Sequence, residues 1–256
     1  CAHTIAELTG ITVVADFRTR DLVIGGQGAP FAPIYHQAVF ENEISPLAVV
    51  NIGGIANVTY LVDGRVVGGY DIGPGNCLLD GWIQQHLDRP YDTEGAWAAT
   101  GNTIDSMLRS MLSDPYFKLP APKSLGKEYF SPGWLSNHLP SNYLPQNIQA
   151  TLLTFTATSI ANAIKQNTLQ LKHLAICGGG VHNALLLKTL RDLLPNVVVE
   201  STASLGVNPD FMEAMMFAWL ADQALKNKPL DLRGVTGAKR LAIFGAIYAA
   251  AIDNRN

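Results

Sequence analysis

The spacing of apolar and polar positions divides the chain between two periods. Short apolar runs bounded by turn residues, at 11–15, 47–50, 58–62, 173–177 and 197–200, read as buried strands. Residues 65–67 add another, folded back on 58–62 across the turn dipeptide Asp63-Gly64. Apolar residues spaced by three or four mark helices. Leu78, Leu79, Trp82, Ile83 and Leu87 share one face; Leu152, Leu153, Ile160, Ala163 and Ile164 form the stripe of a helix over 149–169, with Asn147 as its cap; 184–194 is a third. Asn208-Pro209-Asp210 reads as cap and first turn of a helix that buries Phe211, Met212, Met215, Met216, Trp219 and Leu220. Residues 236–252 read as a last apolar helix with Ile243, Ile247 and Ala251 inside. From Tyr91 to Pro145 the pattern loosens, with short helices expected at 92–97 and 103–112. Seven of the 14 prolines lie between Pro90 and Pro145, which predicts an elaborated insertion and not a core layer.

Glycine-rich stretches interrupt this pattern where strands end. Asn51-Ile52-Gly53-Gly54-Ile55-Ala56-Asn57 follows the run at 47–50. Then Gly68-Gly69-Tyr70-Asp71-Ile72-Gly73-Pro74-Gly75-Asn76 puts a single carboxylate, Asp71, at a strand end just ahead of a helix. The partial positive field of the helix N-terminus should keep Asp71 ionised and able to take a proton, the plainer alternative being a helix cap. Further on, the run at 173–177 enters Gly178-Gly179-Gly180-Val181-His182-Asn183 and a helix, a βαβ unit whose amides suit a phosphate or nucleotide. Near the start, Asp16, Arg18, Arg20 and Asp21 precede Gly25-Gly26-Gln27-Gly28-Ala29-Pro30. Charges this dense form either a solvated ion-pair cluster or an arginine fork for an anionic group, and the glycines let backbone approach a ligand. Glu213, about 200° round its helix from Phe211, borders the apolar stripe and faces either water or a cleft edge. His36 reads as an ordinary histidine at an element edge, and Lys123 and Lys127 as exposed lysines within reach of a phosphate at most.

Composition narrows the function classes. The 256 residues are 48% hydrophobic, enough for a large core. A net charge of -3 without a basic run excludes an extended nucleic-acid footprint. Three separated cysteines, Cys1, Cys77 and Cys177, support neither a zinc site nor a disulfide framework, and a reducing cytoplasm is the expected compartment. No apolar run reaches membrane-spanning length, and no metal-ligand cluster is legible. The chain opens at Cys1 with residues that read as the end of an element, so a preceding segment is expected to be missing.

The order βββα, insertion with helix, βα, βα resembles one lobe of the actin-like ATPase (ribonuclease H-like) and sugar-kinase superfold. The wording is more specific. Val14-Ala15-Asp16-Phe17-Arg18, the glycine stretch at 25–30, Asn51 to Asn57, Gly69 to Asn76, Ser113-Asp114-Pro115-Tyr116-Phe117, Pro122-Lys123-Ser124 and Cys177-Gly178-Gly179-Gly180 are closely similar to the anhydro-N-acetylmuramic acid kinase family along the whole chain. That resemblance implies a remnant of a first lobe at 1–46, and a complete α/β lobe at 47–256 with the insertion around 91–147. It implies a cytoplasmic, homodimeric enzyme of cell-wall recycling that uses ATP and Mg²⁺ to open the 1,6-anhydro ring with water and phosphorylate O6. By the same resemblance Asp71 is the general base. Asn51, Gly53 and Gly54 form a phosphate loop, and Gly178, Gly179 and Gly180 the adenosine-side loop. Arg18, Arg20 and Glu213 fall on the sugar side. The family's leading GTMSGTSLDG-type loop has no counterpart here, so the chain alone is expected to be inactive. Two other readings stand beside it: another N-acetylhexosamine kinase of this fold, and a non-catalytic sugar- or nucleotide-binding module.

Overall fold

The computed structural model describes residues 1–126 and 128–250. In chain order its main elements are α1 (Ala2–Thr9), β1 (Val13–Ala15), α2 (Phe17–Val23), α3 (Ala32–Phe40), β2 (Leu47–Ile52), β3 (Ile55–Val62), β4 (Arg65–Pro74), α4 (Cys77–Leu87), α5 (Asp105–Leu112), α6 (Pro132–Ser136), α7 (Pro145–Gln166), β5 (His173–Cys177), α8 (Ala184–Leu193), β6 (Val198–Ser201), α9 (Met212–Leu225), α10 (Arg233–Thr236) and β7 (Ala246–Tyr248). A five-stranded sheet runs β4-β3-β2-β5-β6. β2, β3 and β4 are antiparallel neighbours, whereas β5 and β6 lie parallel to β2. The β3–β4 hairpin turns on Asp63 and Gly64, with φ of 49° and 69°, the left-handed pair that the turn dipeptide predicts.

Alternation along β2 sorts the core into two layers. Ala48, Val50 and Ile52 point into a cluster shared with α4, α7 and α8, while Leu47 and Val49 point into one shared with α3 and α9. A strand buried on both faces reads as a continuous apolar run, which is why 47–50 carried no alternation of its own. Residues 17–40 pack on the second face, where Phe31 meets Phe244 and Tyr35 meets Trp219.

Several expectations need correction. The apolar segment at 236–252 is not a helix: after α10 it runs irregularly into β7, which pairs antiparallel with β1, Val14 opposite Ile247. Ala251 and Ile252 fall outside the described residues, as does Lys127. α7 starts with Pro145 in its first turn after Leu144, and Asn147 instead accepts the Asn102 N–H at 2.9 Å. Asn208-Pro209-Asp210 precedes α9, and Phe211 at its N-cap is 58% exposed. The insertion contributes to the core, burying Met107, Met111, Tyr116 and Phe130, with Trp134 stacked on Phe155.

Candidate functional site

On the α3/α9 face, the row of side chains at one end of the sheet turns from apolar to polar. Asn51 stands opposite Asn57, and Asn57 opposite Asp71, so three adjacent strands set these side chains side by side. A bulge at Ile72 makes this possible: Ala56 pairs with Gly73 but Asn57 with Asp71, which re-aims the carboxylate. The row opens into a cleft of about 610 Å³ that also reaches Arg18, Glu213, Gly53 and Gly54.

Asp71 is held by the insertion, not by a helix cap. Its Oδ2 accepts the Leu125 N–H at 2.8 Å, its own N–H donates to the Lys123 carbonyl, and its carbonyl accepts the Tyr116 hydroxyl. Burial raises its carboxyl above the ordinary carboxylate range, partly countered by the Leu125 hydrogen bond. The helix field was expected to dominate; desolvation wins instead, because the side chain is only 9% exposed. A carboxylate lifted this way is a stronger proton acceptor at neutral pH.

The glycines divide by what surrounds them. Gly178 has φ 77° and ψ 177°, a region essentially reserved for glycine, and a Cβ there would lie 2.3 Å from Asn51 Oδ1. On Gly180 it would strike Ile52, and on Gly75 the Gly53 carbonyl. These three are glycine because chain crosses chain. Gly53 and Gly54 differ: a Cβ would meet nothing closer than 3.6 Å, so the fold itself does not demand glycine. Their carbonyls take the N–H groups of Gly75, Asn76 and Cys77, which fastens the bend to the start of α4. Gly179 is similarly open, and it borders a second hollow of about 480 Å³ with Asn76, Asp80, Asp92 and Asn183. Burial, reinforced by Asp92, pushes the Asp80 carboxyl up to about 6.

The sugar-side candidates separate. Arg18 and Glu213 both border the cleft. Arg18 Nε donates to the Gly28 carbonyl at 2.9 Å, and among the described residues Arg18 makes no ion pair. Arg20 lines a different hollow, with Asp16, Thr19 and Arg240. Among the described residues the dense charges at 16–21 form no ion-pair cluster: Asp21 is fully buried, its carboxylate taking the Gly28 N–H and the Thr236 hydroxyl to brace the glycine loop. Lys123 is not a free surface lysine, since its Nζ lies 4.5 Å from the centre of the Tyr116 ring.

Sequence reasoning passed over His36 and Asn57. His36 is fully buried on α3 beside the cleft, its Nδ1 2.8 Å from Thr59 Oγ1 and its Nε2 without a partner among the described residues. Burial drives its imidazole down to about 3, so it is neutral. The signal for Asn57 was present: polar residues at 57 and 59, two apart in an apolar strand, fall on one face.

The sheet order β4-β3-β2-β5-β6, with a carboxylate-bearing cleft at the strand ends and glycine bends beside β2, defines an α/β lobe with a candidate small-molecule site. By sequence the assignment is sharper. The profile of the family described as anhydro-N-acetylmuramic acid kinase matches residues 2–250, and the chain belongs to that family. It is 55% identical over 248 residues to the anhydro-N-acetylmuramic acid kinase of Legionella pneumophila strain Corby, covering 97% of this chain and 68% of the relative. It is 47% identical to that of Pseudomonas syringae pv. syringae strain B728a, covering 96% and 68%. A solved structure, the ADPNP-bound activator of the 2-hydroxyisocaproyl-CoA dehydratase from Clostridium difficile, is similar at TM-score 0.48 and 15% identity over 78% of this chain and 70% of that one. The chain thus spans about two thirds of the length of these relatives. Among the described residues no helix is long and apolar enough to cross a membrane, and no three potential metal-binding side chains cluster.

Proposed function

We propose that the protein uses ATP to open the 1,6-anhydro ring of anhydro-N-acetylmuramic acid with water and to phosphorylate O6, giving N-acetylmuramic acid 6-phosphate. One observation carries this reading: the cleft brings a buried carboxylate with a raised pKa, Asp71, together with an arginine, an acid and an open glycine bend. Asp71 takes a proton from water attacking C1. Cleavage of C1–O6 then yields the oxygen that accepts the γ-phosphoryl group, so one base drives both bond changes. Arg18, free of any carboxylate partner among the described residues, suits the lactyl carboxylate, for which guanidinium offers a two-pronged grip. Glu213 accepts from sugar hydroxyls.

The nucleotide fits residues whose small size the fold leaves unexplained. Gly53 and Gly54 border the cleft with room for a phosphate against the bend, and the hollow beside Gly179 suits the adenosine, with Asp80 and Asn183 as polar partners. Mg²⁺ supplies charge neutralisation at the phosphates when bound. It characteristically keeps several waters and takes only one or two carboxylates.

The test is direct. The purified protein with ATP, Mg²⁺ and anhydro-N-acetylmuramic acid should release ADP and form a product heavier by one water and one phosphoryl group. Equal turnover of an N-acetylhexosamine lacking the lactyl group would favour the broader hexosamine-kinase reading. Sugar or nucleotide binding without turnover would favour the non-catalytic module.

A further inference from the structure

Asn57 occupies the middle of the polar row, between the proposed base and the phosphate bend, and its chemistry is unspent. It stands directly across β3–β4 from Asp71 and directly across β2–β3 from Asn51, so side chains on both sides point to the same face. Facing Cβ atoms in such pairs lie about 4.5–5.5 Å apart, close enough for one small molecule to touch both side chains. Its Oδ1 is buried and accepts no hydrogen bond among the described residues. A buried amide oxygen without a donor costs stability, so its retention at this position calls for a donor that arrives with the substrates. Its neighbours in the row are engaged. Asn51 Oδ1 faces the Cys177 thiol at 3.8 Å, and Asp71 Oδ2 takes the Leu125 N–H.

Resting on the reaction proposed above, we infer that Asn57 is a second holder of the attacking water: its amide oxygen accepts one O–H while Asp71 accepts the other. Two acceptors fix both hydrogens and so aim the oxygen lone pair at C1. The hydrogen toward Asp71 is the one transferred. As the O–C1 bond forms, that O–H bond breaks and its proton passes to the carboxylate. The C1–O6 electron pair goes to O6, which bonds to the γ-phosphorus as ADP leaves. The hydrogen on Asn57 stays with the oxygen and becomes the new anomeric hydroxyl, so Asn57 exchanges no proton. Its contribution is orientation, which is paid before the reaction begins.

Asn57→Ala and Asn57→Asp test this against wild type by steady-state kinetics in both substrates, a pH profile of kcat and thermal melting. For Asn57→Ala we expect kcat to fall about 10–100-fold, KM for sugar and ATP to stay within about threefold, and the melting temperature to hold, the pattern of an interaction made for the reacting water. Asn57→Asp keeps an acceptor in place but sets a second carboxylate against Asp71, so the rising acid limb of the kcat profile should move to higher pH while activity above it exceeds that of Asn57→Ala. A raised KM for the sugar with kcat unchanged would make Asn57 a hydroxyl contact and overturn the inference, as would an acid limb in Asn57→Asp identical to wild type. A wild-type protein that does not turn over the anhydro sugar would instead overturn the proposed function, and this inference with it.

Discussion

Asp71→Asn isolates the proposed base. The substitution preserves shape and leaves an oxygen for the Leu125 N–H, now 2.8 Å from the carboxylate, but it removes the proton acceptor. A general base contributes about 10²–10⁴ in rate, which at about 1.4 kcal/mol per decade is about 3–5 kcal/mol of barrier. The fold should barely respond. Weakening one charge-assisted hydrogen bond costs about 1–2 kcal/mol, and relief of the carboxylate's burial penalty acts in the opposite direction. Coupled ADP release should therefore show kcat reduced by two to four decades, while calorimetric titration gives a sugar affinity within about threefold of wild type. The pH response follows from the raised carboxyl. Wild-type kcat should climb through a midpoint above the ordinary carboxylate value of 3.8 and then level, and the variant should lack that limb. For stability the sign is reversed: a folded-state pKa raised above the unfolded one favours the neutral acid, so this stabilisation is full below the unfolded value and disappears as pH rises through the folded one. A variant within tenfold of wild-type kcat, or one whose lost activity tracks lost sugar binding, would refute the assignment of Asp71 as base.

Four further substitutions probe the rest of the site. Gly53→Ala has room and an ordinary backbone, so melting should be unchanged or raised by the equivalent of about 0.4–1 kcal/mol while KM for ATP increases; an unchanged KM would remove the bend from the phosphate path. Gly178→Ala should do the reverse, costing about 1–3 kcal/mol from its backbone conformation alone and more from the collision with Asn51, seen as a lowered melting temperature. Arg18→Lys loses the two-pronged grip and should raise KM for the muramic substrate about 10–100-fold, with no change toward a hexosamine lacking the lactyl carboxylate. His36 makes the fold acid-sensitive: its imidazole is held to about 3 against an ordinary 6.5, so between those values the unfolded chain takes a proton that the fold refuses, and stability drops as pH falls. Urea titrations at pH 7 and 5 should show a smaller loss for His36→Leu than for wild type.

What the sequence revealed and what it hid follow one physical division. Local chemistry was legible: Asp63-Gly64 predicted its hairpin, and the glycine triplet its strand-to-helix turn. Partners distant in the chain were not. Segment 236–252 has the Ala- and Ile-rich look of a helix, but its fate was decided by β1, more than two hundred residues earlier, which offered an edge for Ala246–Tyr248. Asp71 was read from the helix that follows it in sequence, whereas its setting is made by Leu125 and Tyr116, residues whose backbone N–H and hydroxyl give no signature in a pattern of apolar positions. The insertion looked loose for the same reason: prolines break its periodicity without preventing its aromatic side chains from packing.

The glycine triplet at 178–180 shows why fold and ligand must be argued residue by residue. Gly178 and Gly180 face Asn51 and Ile52, so the loop after β5 is pressed against the end of β2, and a side chain at 178 would push on Asn51 in the cleft. Gly179, between them, has open space and borders the other hollow. A methyl at Gly178 should thus disturb Asn51 and through it the row that ends at Asp71, lowering stability and turnover together, and one at Gly180 should lower stability through Ile52. At the middle position it should disturb nucleotide affinity alone. If Gly179→Ala destabilised the protein as much as Gly178→Ala does, the triplet would be a structural turn throughout, and the hollow beside it would lose its strongest claim to the nucleotide.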